Sequence, residues 1–125
     1  MKKFAFLMVI LGLFFIQSCS TDEDGKTTYT IKKDYNSGFT THLDLIEYDN
    51  SGSSVCINQL DSVQRGEVHI FEANDHSEKV VVRITESFGM QKQTFYVANV
   101  FYLKPNANVD IVIDDKILTS SANPI

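Results

Sequence analysis

Thr94-Phe95-Tyr96-Val97-Ala98-Asn99-Val100-Phe101-Tyr102-Leu103-Lys104 is the most apolar stretch of the chain beyond its N-terminus. In an extended chain successive side chains point to opposite faces. Phe95, Val97, Phe101 and Leu103 then share one face, and Tyr96, Ala98, Val100 and Tyr102 share the other. A strand that is apolar on both sides is central to a sheet and covered twice. The stretch is therefore expected as one central strand, closed by Pro105, which cannot donate to a central ladder.

The flanking segments read as further strands. Val109 to Asp114 alternates, with Val109, Ile111 and Ile113 inward, and Asp114-Asp115 turns into a short last strand over Lys116 to Thr119. Upstream, Lys79 to Glu86 puts Val80, Val82 and Ile84 inward and Arg83 and Thr85 outward. Thr28 to Lys33 puts Tyr29 and Ile31 on one side. Phe39 to Tyr48 carries Phe39, Thr41, Leu43 and Leu45 on one face. Its apolar parity then flips to Ile46 and Tyr48, as a β-bulge near Leu45-Ile46 or a change of sheet would produce. Val55 to Leu60 is a short strand, and Asp61 to Gly66 is a loop that could hold one helical turn. Glu67 to Ala73 leaves open whether Val68 and Ile70 or His69 and Phe71 face inward.

Turn chemistry separates these runs: Asn36-Ser37-Gly38, Asp49-Asn50-Ser51-Gly52-Ser53, Asn74-Asp75-His76-Ser77 and Ser87-Phe88-Gly89. Short strands at roughly 8–12-residue spacing with no helical period predict an all-β fold. The expected architecture is an antiparallel β-sandwich of about 7–8 strands spanning residues 28–120, with a tail at 121–125.

The N-terminus has a different character. Lys2 and Lys3 precede Phe4 to Ile16, a thirteen-residue apolar run broken only by Gly12. A membrane-spanning helix needs about 20 such residues. The run fits the apolar part of a secretory signal peptide, roughly 7–15 residues, over residues 1–18. Ile16-Gln17-Ser18-Cys19 resembles the lipobox of bacterial lipoproteins, with Gln17 where Ala or Ser is commoner. That resemblance implies cleavage before Cys19, covalent diacylglycerol on its thiol and an N-acyl chain on the new terminus. Two or more acyl chains hold a protein stably on a bilayer where one would be marginal. Residues 19–27 then form an acidic tether. Asp22, Glu23 and Asp24 resemble the surface-export signal of lipoproteins from Bacteroidetes. Tyr29-Thr30-Ile31, Asn36-Ser37-Gly38 and Asn108 to Lys116 likewise resemble small β-sandwich lipoproteins of those bacteria, a likeness that brings no biochemical activity with it. It implies an outer-membrane, surface-exposed protein, with a periplasm-facing position as the alternative.

Loss of residues 1–18 removes two of eleven Lys and Arg and none of sixteen Asp and Glu, leaving nine against sixteen and a net charge of −7. That sign argues against nucleic acid as a partner. With Cys19 lipidated, Cys56 has no partner for a disulfide, and its setting in Val55-Cys56-Ile57 suggests a small buried hydrophobe. There is no phosphate loop, no H-E-x-x-H and no nucleophile elbow, since Gly52-Ser53-Ser54-Val55 lacks the second glycine. His42, His69 and His76 share no ligand-like spacing. Asp110 and Asp114 on one strand would lie roughly 13 Å apart, too far for one cation. No catalytic or metal-ligating residue and no further cofactor is expected.

Tyr96, Val100 and Tyr102 form the candidate ligand face, because exposed aromatics stack on sugars or partner proteins. The reading is a lipid-anchored, non-enzymatic envelope protein with an envelope or surface protein as partner. A glycan-binding module and a hydrolase or inhibitor are the alternatives. An uncovered aromatic strip would mark the first. A cleft gathering His42 or His76 with carboxylates would mark the second.

Overall fold

The computed structural model describes residues 26–125. Residues 1–18, Cys19 and the acids Asp22, Glu23 and Asp24 lie outside the described residues. Nine strands and no helix build the described span: β1 (Thr28–Asp34), β2 (Thr40–Tyr48), β3 (Ser54–Leu60), β4 (Val68–Glu72), β5 (Lys79–Phe88), β6 (Gln91–Val97), β7 (Phe101–Tyr102), β8 (Asn108–Asp114) and β9 (Thr119–Ser120).

Six strands form one sheet in the order β9-β6-β5-β2-β3, with β7 also paired to β5, and three form a second sheet in the order β4-β1-β8. The expected all-β sandwich is what the chain adopts. One pair departs from antiparallel: β1 and β8 run parallel in register from Thr28 opposite Asn108 to Asp34 opposite Asp114. The intervening chain crosses to the other sheet and returns, so this pairing joins residues far apart in sequence.

The inward faces meet in one core. Tyr29, Ile31, Ile111 and Ile113 from the small sheet pack against Leu43, Leu45, Val80, Val82, Ile84 and Val97 from the large one. Burying an aliphatic side chain of this size contributes about 1.5–3 kcal/mol. Val63, from the loop between β3 and β4, closes one end, held by its amide bonding to the Thr41 carbonyl at 2.9 Å. That loop contains no helical turn. The choice left open in β4 falls to His69 and Phe71, which are half-buried while Val68 and Ile70 face solvent. Phe71 packs on the Tyr29 ring at 5.6 Å.

The parity flip in β2 has another cause than the two expected. β2 keeps unbroken register with β5 from Thr40 opposite Ser87 to Tyr48 opposite Lys79, so it neither bulges nor changes sheet along that edge. The register shift lies on the β3 side, where Glu47 pairs with Cys56 and Tyr48 with Ser54. The pattern breaks because the core position after Leu45 is filled by Glu47, which is fully buried. Ile46 and Tyr48 face outward into a second apolar cluster with Val81, Tyr96 and Val100.

The stretch 94–104 is not one strand. β6 pairs with β5 up to Tyr96 opposite Arg83, residues 98–100 leave the ladder, and β7 rejoins it with Phe101 opposite Val80. The excursion adds two residues relative to β5, so face parity survives it, and Phe95, Val97, Phe101 and Leu103 do pack on the main core. The last strand is shifted from 116–119 to Thr119–Ser120, where it pairs with Val97 and Tyr96 of β6. The tail beyond it is docked, since the Asn123 amide donates to the Tyr48 hydroxyl at 2.9 Å.

Candidate binding groove and the outer sheet face

Cross-strand register arranges the outward side chains of the large sheet in rows. One row is Asp44, Arg83 and Tyr96, and the next is His42, Thr85 and Thr94. Arg83 donates to Asp44 through both Nε and Nη2 at 2.9 Å, and His42 Nε2 lies 2.8 Å from the other Asp44 oxygen. Burial opposes charge on Asp44, but the hydrogen bonds from His42 and Arg83 outweigh it and hold the carboxyl below its ordinary value. The Tyr96 hydroxyl beside Arg83, with Asp44, pushes the guanidinium pKa up. His42 Nδ1 also lies 3.4 Å from Asp61. This line gathers His42 with two carboxylates, yet it lies flat on a sheet face and His42 bonds to no hydroxyl or thiol among the described residues. It is built to tie three strands together rather than to activate a nucleophile.

The concave surface lies at one end of the sandwich. A groove of about 660 Å³ is lined by Thr27, Asp49, Asn50, Asp75, His76, Ser77, Glu78, Tyr102, Leu103 and Pro105. The turn after β2, the loop between β4 and β5 and the segment after β7 supply its walls. Asp49 is held as a turn acceptor, taking the Ser51 hydroxyl at 2.7 Å and the amides of Ser51 and Ser53 at 3.0 Å. The Ser51 hydroxyl, then the Ser53 amide, keep its carboxyl below the ordinary range. Tyr102 is 67% exposed and gives the groove its aromatic surface. Thr27, the last residue before β1, also lines the groove, and its hydroxyl accepts the Asn106 amide at 3.1 Å.

Beneath the groove sits Glu47. Its Oε1 accepts the Asn74 amide at 2.8 Å and the Ser77 hydroxyl at 2.5 Å, and its Oε2 accepts the Tyr29 hydroxyl at 2.7 Å and the Asn58 amide at 3.0 Å. No cation joins this network among the described residues. Four donors replace the water that a buried carboxylate loses. Burial, then the hydrogen bond to Glu47, drive the Tyr29 phenol pKa far up, so Tyr29 acts as a neutral donor. The same carboxylate thereby fixes both ends of the loop 74–77 that forms one groove wall.

The candidate ligand face divides on this framework. Tyr96 and Val100 are half-buried in the second apolar cluster, and Tyr102 alone stands open, in the groove. The aromatic strip that would mark a glycan platform is not assembled. His76 reaches the groove beside Asp75, His42 lies on the outer face, and His69 pairs with Glu67 at 3.1 Å on the small sheet. Asp110 aligns with Thr30 and Asp114 with Asp34 along β8. Cys56 is half-buried on the edge strand opposite Glu47. Burial, then the Glu47 charge, push its thiol pKa up, the opposite of what a nucleophile requires. Sequence reasoning missed Glu47 and the groove. A lone acid where an apolar residue was due was the available signal for the first. The second joins loops distant in the chain. Comparison of the chain with protein-family models, with curated proteins and with solved structures gives no match.

Proposed function

We propose that this chain is a lipid-anchored, non-enzymatic binding module of a bacterial cell envelope, and that the groove holding Tyr102 carries its contact with a partner envelope protein. The observation that supports this most is the shared position of groove and tether: Thr27, the final tether residue, lines the groove itself. If Cys19 bears acyl chains, the residues between it and β1 span at most about 30 Å when extended. The groove then works close to the bilayer. Its wall acids Asp49, Asp75 and Glu78, with no Lys or Arg among the lining residues, suit a partner that presents hydrogen-bond donors or cations. Tyr102 offers a large, rigid surface with a polar tip, the kind of side chain that anchors protein contacts.

The non-enzymatic reading rests on chemistry. His42 is committed to Asp44, Cys56 is held as a thiol, and Ser77 donates to a buried carboxylate. Asp22, Glu23 and Asp24 would act as an address for export to the outer surface. Replacing Tyr102 with a photo-reactive phenylalanine analogue in the full chain, in its own envelope, tests the groove. A discrete protein adduct from position 102, and none from the exposed Gln93 in β6, is expected. Equal adducts from both positions, or a glycan adduct from 102, would overturn the assignment.

A further inference from the structure

Six of the ten large apolar side chains exposed among the described residues lie on one side of the sandwich. Three stand on the outer face of the small sheet, where register sets Val68 and Val112 on either side of Lys32, and Ile70 beside Thr30. Ile70 is 69% exposed. Phe88 extends the same side. It follows Val82, Ile84 and Glu86 on the inward side of β5, one step past Glu86, which accepts the Tyr35 hydroxyl at 3.0 Å. The ring is 59% exposed and packs edge-on against Phe39 at 6.0 Å, and the turn beyond it leaves Met90 fully exposed. Charge on this side is close to balanced. Glu72 faces Lys26 at 3.6 Å and Asp34 faces Arg65 at 3.4 Å. Asp110 and Asp114 face no base, and each accepts an amide at 3.0 Å, from the Asn108 side chain and from Lys116. Lys32 has no ion pair among the described residues. Four acids and three bases thus leave this side near neutral in a strongly acidic chain.

We propose that this side rests on the lipid surface, with the small sheet lying flat along it. Val68, Ile70 and Val112 then sit at the headgroup level, and Phe39, Phe88 and Met90 insert at the far end. The Lys32 stem packs among the apolar groups while its ammonium reaches lipid phosphates. This orientation rests on the lipid-anchored reading above. The tether is the first reason that a bilayer is the occupant. It runs directly into β1, the central strand of the small sheet, so anchoring at Cys19 brings this sheet rather than the large one beside the membrane. Dispersal of the apolar groups is the second. Val112 lies two strands from Val68, roughly 10 Å, Phe88 stands beyond the end of β1, and none of the six lines the groove. A fluid surface accepts separate protrusions, whereas a protein partner needs a continuous matched patch of about 800 Å². The acyl chains supply attachment, so this side has only to set orientation, at the high effective concentration that a short tether gives. Large-sheet side chains such as Thr85, Thr94 and the Asp44–Arg83 pair then face away from the bilayer.

The test uses the lipidated full chain in vesicles of phosphatidylethanolamine and phosphatidylglycerol. Each variant carries Cys56→Ser and one fluorophore-labelled cysteine, from Ile70→Cys, Met90→Cys, Val112→Cys or Thr94→Cys, the last exposed on the outer face of the large sheet. A spin-labelled lipid is expected to quench the probes at 70, 90 and 112 several-fold more than the probe at 94. Adding Ile70→Glu and Met90→Glu, both at exposed positions, is expected to bring quenching at 112 down to the level at 94 while the chain stays on the vesicles. Equal quenching at all four positions, or a probe at 112 that stays quenched in the Glu variant, would overturn the orientation and leave the anchor standing. A wild-type chain that fails to float with the vesicles would overturn the anchor, and the orientation with it.

Discussion

Replacing Glu47 asks directly whether a buried, cation-free carboxylate holds the sandwich and its groove wall together. Glu47→Leu keeps the volume and removes every acceptor, orphaning the Asn74 amide, the Ser77 hydroxyl, the Tyr29 hydroxyl and the Asn58 amide. The Ser77 hydroxyl can turn to water in the groove, and Asn58 still donates to the Tyr29 oxygen at 2.6 Å. The Tyr29 proton, on a fully buried residue, has no such escape, whereas Asn74 is itself exposed and water can take the place of the acceptor its amide loses. At about 1–3 kcal/mol for each buried donor left unsatisfied, plus the loss of charge-assisted bonds, the cost is about 4 kcal/mol. That is a large share of a domain's usual stability of about 5–15 kcal/mol. Glu47→Gln separates shape from charge. Its carbonyl can face the fixed Asn74 amide while its NH₂ faces Tyr29, whose hydroxyl can rotate to accept, so about 2 kcal/mol is expected. Urea unfolding of the Lys26–Ile125 span, followed by circular dichroism, reads both, with the midpoint falling further for Leu than for Gln. A Leu variant as stable as wild type would refute the reasoning, showing that an apolar side chain serves there equally well.

Val97→Asp places an unpaired charge at a fully buried position between the sheets, and a loss of several kcal/mol is expected in the same unfolding assay. Asp44 titrates below its ordinary value, so its contribution is complete above about pH 5 and is lost as pH falls through its folded pKa. The stability gap between wild type and Asp44→Asn should therefore shrink as pH falls from about 5 toward 3. Cys56, with its thiol pKa raised, should react with a maleimide at neutral pH more slowly in the folded protein than in urea.

The inward residues of β1 and β8 were legible because each strand buries one apolar face and turns polar residues outward, and period 2 records that difference; β5 kept the same alternation through Val80, Val82 and Ile84 although Val81 on its other face is buried as well. β2 was harder. Its Glu47 stands on the core face, so the polarity pattern reported a break where the backbone has none. The excursion at residues 98–100 was hidden for the opposite reason: it adds two residues, and an even insertion leaves parity intact. Strand neighbours were not legible at all, because alternation says which face is buried but not which strand lies alongside. The parallel β1–β8 pair and the groove between three loops and Thr27 both fall in that class. Tyr96 and Val100 looked like a surface strip with Tyr102, yet the first two pack against Ile46, Tyr48 and Val81.

The central claim is that the chain works as a lipid-anchored envelope protein, and Cys19 is the residue on which it turns. Cells expressing wild type or Cys19→Ala are grown with labelled fatty acid and then separated into membrane and soluble fractions. The account predicts label and membrane attachment for wild type alone, with Cys19→Ala accumulating as an unlabelled, uncleaved precursor. Equal labelling of the two, or an unlabelled wild type in the soluble fraction, would contradict it.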